Sequence, residues 1–269
     1  MPGLGGVILT GVGEPLLAPL LPAMLSDCEE RGIHIELTTN GSVWSEDVFR
    51  RLARMGARVI VSVDGAKAGT IEFVRSGLKF AVLTETLDRL SRLKGERLNP
   101  AFELYFNVVL LEMNLGELEG IIEWAARLGV DCVYFSSFSA TGHTEEFARQ
   151  SLEALPGVVN PVLDKVCALC AQKGIRAVRP QFLSGASGET KRGGAGRLLQ
   201  CPLPWWAVYI ETDGSVLPCC QWWPPVGNLH DAPFGRIWNG PAYRAIRRAV
   251  NALPLPGPCQ RCILGERTL

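Results

Sequence analysis

The chain has 269 residues, 27 basic side chains against 27 acidic ones, and a hydrophobic share of 47%. That balance excludes a partner chosen by bulk charge, so nucleic-acid binding is not expected. No stretch approaches the roughly 20 apolar residues of a membrane span, and the opening MPGLGGVILTGVGEP lacks the basic n-region of a signal peptide. A cytoplasmic, reducing compartment follows as the expectation, one in which the nine cysteines stay free or hold metal. The length suits one large domain, or a large one and a small one.

In chain order the first two-thirds alternates strand and helix patterns. VILTGV reads as a buried strand that stops at Gly-Glu-Pro, and LLAPLLPAMLSDCEERG as a helix ending at Gly32. IHIELTTNG (strand), SEDVFRRLARMG (helix, Ser45 as N-cap) and ARVIVSVDGA (strand) follow. A helix around TLDRLSRLKG leads to the strand FELYFNVVL, the helix LGELEGIIEWAARLG and the strand DCVYFSSF; PVLDKVCALCAQKG and IRAVRPQF close the series. Continuous apolar strands separated by helices signify a parallel sheet, in a doubly wound sheet or in a full or partial barrel. The rhythm breaks at residues 184–200, a Gly-rich charged stretch that reads as a linker. The expected division is therefore 1–183, 184–200 and 201–269.

The last segment differs in composition, holding five of the nine cysteines and five of the seven tryptophans. Cys201 is followed after 17 residues by Cys219-Cys220, and after 38 more by Cys259-x-x-Cys262. Asp213-Gly214 between the first two is a type I′ hairpin signal, and a hairpin brings residues near its ends together. Two separated halves offering four thiolates suit structural zinc or an iron–sulfur cluster, and the spacing does not choose between them. Side chains of adjacent residues in an extended segment face opposite ways, so Cys219 and Cys220 are not expected to share one centre.

Three strands end in polar, Gly-containing turns: Thr10-Gly11-Val12-Gly13-Glu14-Pro15, Thr38-Thr39-Asn40-Gly41 and Ser62-Val63-Asp64-Gly65. In parallel β/α architectures that edge carries ligands, although each turn is also ordinary turn chemistry. No dinucleotide fingerprint or P-loop is present, since Leu16 stands where G-x-G-x-x-G needs glycine.

The succession GVGEP, TTNG, SVDGA with VRSG after it, and a tail with CPLPW, DGSVLPCC, GNL, IWNG and C-x-x-C resembles the radical S-adenosylmethionine enzymes. More narrowly it resembles those with a C-terminal SPASM or "twitch" auxiliary-cluster domain. The likeness runs from about Val7 to Cys262. It implies an α/β fold, a partial, incomplete TIM-like (β/α) barrel of parallel strands, with a small C-terminal cysteine-rich iron–sulfur domain. It implies S-adenosylmethionine as cofactor, with Gly11, Gly13, Glu14 and Pro15 on its amino group, Ser62 and Arg75 on its carboxylate, and Asn40 and Asp64 as further polar contacts. Val12 departs from the family's first motif glycine. The likeness also implies Cys201, Cys219, Cys259 and Cys262 as ligands of an auxiliary 4Fe-4S cluster, which favours iron–sulfur over zinc.

One departure is larger. The family's C-x-x-x-C-x-x-C loop, which holds the 4Fe-4S cluster that reduces S-adenosylmethionine, has no counterpart here, and no cysteine precedes Cys28. A longer natural chain supplying the first strand, that loop and a second cluster is the expectation, with a degenerate member as the alternative. The implied activity is reductive cleavage of S-adenosylmethionine to a 5′-deoxyadenosyl radical. That radical would take hydrogen from a substrate: a peptide, a sugar alcohol or a cofactor precursor. The implied electron donor is a flavodoxin or ferredoxin. The competing readings are a non-catalytic metal-binding remnant and a zinc-stabilised, partner-binding scaffold. Cys28, Cys132, Cys167 and Cys170 read as core residues, and His34, His143 and His230 share no ligand spacing. Glu145 and Glu146 read as a solvated loop, and the tail tryptophans as packing around a cluster.

Overall fold

The computed structural model describes residues 3–11, 13–138, 144–152, 155–180, 201–252 and 254–260. The chain divides into two compact units, Met1–Gly185 and Ala186–Leu269. The 184–200 stretch lies wholly outside the described residues, as do His143 and Cys262.

In the first unit the elements run β1 (Gly6–Leu9), α1 (Leu21–Glu30), β2 (His34–Thr39), α2 (Glu46–Met55), β3 (Arg58–Ser62), α3 (Ala68–Val74), α4 (Phe80–Gly95), β4 (Glu103–Leu110), α5 (Leu118–Leu128), β5 (Cys132–Ser137), α6 (Glu145–Ala148), α7 (Pro156–Gln172) and β6 (Arg176–Val178). The six strands are all parallel and lie in sequence order, with β1 and β6 at the edges. A doubly wound sheet reverses its winding partway. This one does not, so the architecture is the incomplete, TIM-like β/α barrel.

The strands are two-sided. Ile35, Leu37, Val59, Val61, Leu104, Phe106, Val108, Val133 and Phe135 point to the helices and join one large apolar core with Leu25, Phe49, Leu52, Leu87, Leu90, Ile121 and Leu163. Alternate residues point the other way, where Ile60, Tyr105 and Cys132, backed by Tyr134, form a small separate cluster. Helix ends follow local chemistry. α2 starts with Glu46 and Asp47 in its first turn, and both α2 and α5 stop at a left-handed glycine, Gly56 and Gly129.

Four local expectations change. The apolar stretch after β1 is not one helix: Pro15–Leu17 makes a single 3₁₀ turn and α1 begins only at Leu21, with Pro22 in its first turn where a missing N–H costs nothing. Glu145 and Glu146 open the short helix α6, whose N-cap Thr144 accepts from Phe147 N. α3, between β3 and α4, is an additional element. Ser45 sits at the N-cap of α2 without a side-chain capping bond.

The second unit contains α8 (Leu203–Trp206), β7 (Tyr209–Ile210), β8 (Ser215–Leu217), β9 (Gly227–Asn228), α9 (Phe234–Trp238), α10 (Pro241–Ala249) and α11 (Gly257–Gln260). β7, β8 and β9 form an antiparallel sheet. The hairpin at Asp213-Gly214 is present but is not type I′, because only Gly214 has positive φ (81°). Gly214 N donates to Glu211 O and Glu211 N to Ser215 O, the turn-plus-bulge form with glycine in the left-handed position. The core is small: Val216, Ile237 and Tyr243. Arg247 packs against the rings of both Trp238 (4.4 Å) and Tyr243 (4.6 Å), which lie 4.6 Å from each other, and donates to Pro204 O and Trp238 O. Trp238 packs against this core, whereas Trp205, Trp206 and Trp223 are exposed.

Candidate active site

The C-terminal ends of β1 to β5 share one edge of the sheet, the edge that carries chemistry in parallel barrels. At the end of β1, Gly11 (φ 144°) and Gly13 (φ 130°) hold backbone conformations that side chains disfavour, with open space where a Cβ would stand. The backbone there is thus open to close approach by a ligand. Glu14 follows as N-cap of the 3₁₀ turn and Pro15 as its first residue.

The Glu14 carboxylate is fixed from β2. Its Oε1 accepts from Thr39 Oγ1 (2.9 Å) and Leu16 N (3.2 Å), and its Oε2 from Asn40 N (2.8 Å). These bonds orient the group and leave it half-buried with lone pairs to spare. Asn40 is held in turn, since its Oδ1 accepts from Ser42 N. Gly41, at φ 75°, is pressed against Leu83 Cδ1, 2.6 Å from where its Cβ would be, and Thr86 Oγ1 donates to its carbonyl.

β3 brings Ser62 to the same edge, nearly buried and in register with Asn107 of β4. Asp64, two residues on, is 1% exposed and fully engaged: Oδ1 accepts from Val109 N (2.8 Å) and Oδ2 pairs with Arg75 Nη2 (2.7 Å). Burial pushes the Asp64 carboxyl above its ordinary value, against the pull of Arg75 and the Val109 N–H. Asp64 is thus turned inward to hold Arg75, while Arg75 Nε is buried and has no hydrogen-bond partner among the described residues. An orphaned guanidinium donor at this edge suits an anionic group such as a carboxylate.

Four further residues belong to this edge and escaped the sequence reading. Asn107 Oδ1 accepts from Ser136 Oγ (2.6 Å), joining β4 to β5 beside Ser62. Asn114 donates to the carbonyls of Asp64 and Val109. Glu117, nearly buried, accepts from Ala66 N (2.8 Å) and Thr70 Oγ1 (2.6 Å), which clamps the β3–α3 loop. The period-2 alternation of ELYFNVVL sets Asn107 on the face opposite Phe106 and Val108, a signal that could have found it; the other contacts are long-range and leave no local signal.

In the second unit Cys201, Cys219 and Cys259 are half-buried and Cys220 is exposed. Cys201 N donates to Asn251 Oδ1, two residues past α10 (2.8 Å), and Cys219 and Cys220 follow β8 after Pro218. Among the described residues no three His, Cys, Asp or Glu side chains gather as a metal site, and Cys262, the fourth sulfur expected, lies outside them. By donor chemistry the tail suits a thiolate-held centre. Cys170, by contrast, is a core thiol that burial pushes up to about 12, as befits an inert residue.

Comparison with known proteins now bears on this arrangement. Residues 1–136, half of the chain, match the radical SAM superfamily. The chain belongs to the radical SAM superfamily. Residues 201–263 match SPASM, described as an iron-sulfur cluster-binding domain. The cofactors that go with these two domains are S-adenosylmethionine and 4Fe-4S clusters, and the chain is an enzyme of this class. An AdoMet-dependent heme synthase of Methanosarcina barkeri is 27% identical over 95% of this chain and 74% of its own. The mycofactocin maturase MftC of Mycobacterium ulcerans is 24% identical over 94% of this chain and 66% of its own. In fold the chain is similar to Streptococcus suis SuiB bound to S-adenosylmethionine, with TM-score 0.66 and 14% identity over 96% of this chain. It spans 60% of the length of that SuiB chain.

Proposed function

We propose that this enzyme holds S-adenosylmethionine at the C-terminal edge of β1 to β3 and uses it to take a hydrogen atom from a cofactor precursor. The observation that carries the reading is the opposite-charge pair at one sheet edge: the Glu14 carboxylate, fixed by Thr39 and Asn40, and Arg75 with its orphaned Nε. An amino acid head group needs both, an anion for the ammonium and a cation for the carboxylate. Gly11 and Gly13 let the backbone approach the same group, Pro15 sets the turn that follows Glu14, and Ser62 and Asn40 add polar contacts. Asp64 acts through Arg75. This sequence offers no C-x-x-x-C-x-x-C loop for the cluster that would reduce S-adenosylmethionine; were both groups bound they would supply a carbon radical, and the part of the residues named here is to orient the head group and exclude water.

We place the auxiliary 4Fe-4S cluster on Cys201, Cys219, Cys259 and Cys262, within a domain spanning 201–269 joined through 184–200 to the barrel at 1–183. Cys219 is preferred to Cys220 because it is half-buried where its neighbour is exposed. A cofactor precursor is preferred to a peptide because the relative of higher identity is the heme synthase of M. barkeri, at 27% against 24% for MftC and 14% for SuiB. A flavodoxin- or ferredoxin-type electron donor and a cytoplasmic setting complete the reading; no helix among the described residues is long and apolar enough to cross a membrane.

The test is calorimetric. S-adenosylmethionine should bind the anaerobically reconstituted full chain, and Glu14→Gln should weaken it at least about tenfold, as loss of a charge-assisted bond requires. Equal affinity in Glu14→Gln would remove the head-group assignment. One zinc and no iron per chain after reconstitution would remove the cluster and favour the zinc scaffold.

A further inference from the structure

The sheet face opposite the helices holds a second polar cluster that this reading leaves unused. Register fixes its rows. Glu36, Arg58 and Glu103 are cross-strand neighbours on β2, β3 and β4. One row nearer the active edge come Ile60, Tyr105, Cys132 and Arg176, and in the next row Ser62, Asn107, Tyr134 and Val178. Tyr134 is thus level with Ser62 and Asn107 on the same face, on the β5 and β6 side of the sheet.

Most of this cluster is spent internally. Arg58 donates to Glu36 Oε2 (2.8 Å) and to Glu103 Oε2 (2.9 and 3.1 Å), using all three of its nitrogens. The Tyr105 hydroxyl donates to Glu103 Oε1 (3.0 Å), and its ring lies between the guanidinium groups of Arg58 (4.7 Å) and Arg176 (5.2 Å). The two carboxylates and two guanidinium groups neutralise one another.

Two donors remain. Arg176 is 62% exposed and engages only Nη2, with Glu103 Oε1 and the Tyr105 hydroxyl. Its Nε–H and Nη1–H groups have no acceptor among the described residues. The Tyr134 hydroxyl has none either, although its ring is held edge-on to Tyr105 at 5.3 Å and 77°. Burial raises the Tyr134 phenol above its ordinary value, so it remains a donor at neutral pH. Beside them Val178, 43% exposed, offers apolar contact.

We infer that Tyr134 and Arg176 form a carboxylate-binding subsite that holds an acidic side group of the substrate on the inner face of the sheet. One carboxylate oxygen accepts from an Arg176 N–H and the other from the Tyr134 hydroxyl, while the carbon skeleton rests on Val178. The inference rests on the proposed function only in placing the substrate over this face. It requires neither bound S-adenosylmethionine nor turnover.

That independence shapes the test. The chain has four tyrosines, so 3-fluorotyrosine labelling of the full chain gives a fluorine spectrum in which Tyr134→Phe identifies one resonance by its loss. Glutarate should shift that resonance saturably, and dimethyl glutarate, which has the same skeleton without the charge, should not. Arg176→Gln should weaken the glutarate response about tenfold, and Arg176→Lys, which keeps the charge, should restore part of it even where both variants lower the melting temperature. An unmoved resonance, an equal response to the ester, or full retention in Arg176→Gln would overturn the subsite. The same titration on Glu14→Gln keeps the two readings apart: a retained response there, with S-adenosylmethionine binding lost, supports both.

Discussion

The two units of this chain are stabilised by different means. The barrel unit buries a single large apolar core between one face of its sheet and its helices. The tail unit buries only a handful of apolar residues among those described, and one arginine packed over two adjoining rings ties its short elements together. Hydrophobic burial grows with size, and a small segment cannot assemble enough of it alone. The lesson is that the barrel is its own scaffold, whereas the tail needs a staple, which the thiolate-held cluster supplies in our reading.

The strongest way to break that contrast is to remove the metal. A chelator applied to reconstituted protein should strip amide-exchange protection from residues 201–252 while leaving β2 to β5 protected; uniform loss over both units would show that the tail is no more metal-dependent than the barrel. Next in size are two truncations, one in each unit. Phe106→Ala in the barrel core should cost about 3–5 kcal/mol, and Arg247→Ala in the tail about 2–3 kcal/mol, from two charge-assisted bonds and the ring contacts. Each should lower protection in its own unit only. Protection lost in the other unit as well would mean that the two do not unfold separately.

The smallest effect is one of pH. Burial acts to raise Glu103, but the bonds from Arg58 and Tyr105 and the charges of Arg58 and Arg176 outweigh it and hold the carboxyl below its ordinary value of 4.5. A group so lowered stabilises the fold above its unfolded pKa and loses that contribution as pH falls through the folded one. The barrel should therefore lose stability on acidification below about pH 4.5, and Glu103→Gln should flatten that part of a denaturation series. An unchanged slope would show that the cross-strand ion pairs are electrostatically idle.

Much of the barrel was legible in advance because its signals are local. Apolar runs of strand length, terminal glycines such as Gly56 and Gly129, and polar strand ends all act within a few residues. The α1 boundary was misplaced because Pro19 and Pro22 interrupt an apolar run that otherwise reads as one helix. α6 was missed because two glutamates look solvated until Thr144 is seen to cap them. Among the site residues, Glu14 was legible as a carboxylate at a strand end. The inward turn of Asp64 was not, since it depends on Val109 and Arg75, brought to it by folding. The same holds for Glu117, whose partners Ala66 and Thr70 lie about fifty residues earlier. In the tail the hairpin was legible and its turn type was not, because Asp-Gly serves both I′ turns and bulged ones.

The two-sided strands carry a consequence for redesign. Every second residue of β3, β4 and β5 is committed to the helices, so an exposed position on the other face can be exchanged without opening the large apolar core. Val178, half-exposed at the end of the row that begins at Ser62, is the natural first position to diversify. A library at that position would alter what the enzyme accepts while leaving the core and the head-group contacts intact, a separation of duties that loops, where shape and chemistry reside in the same residues, do not offer.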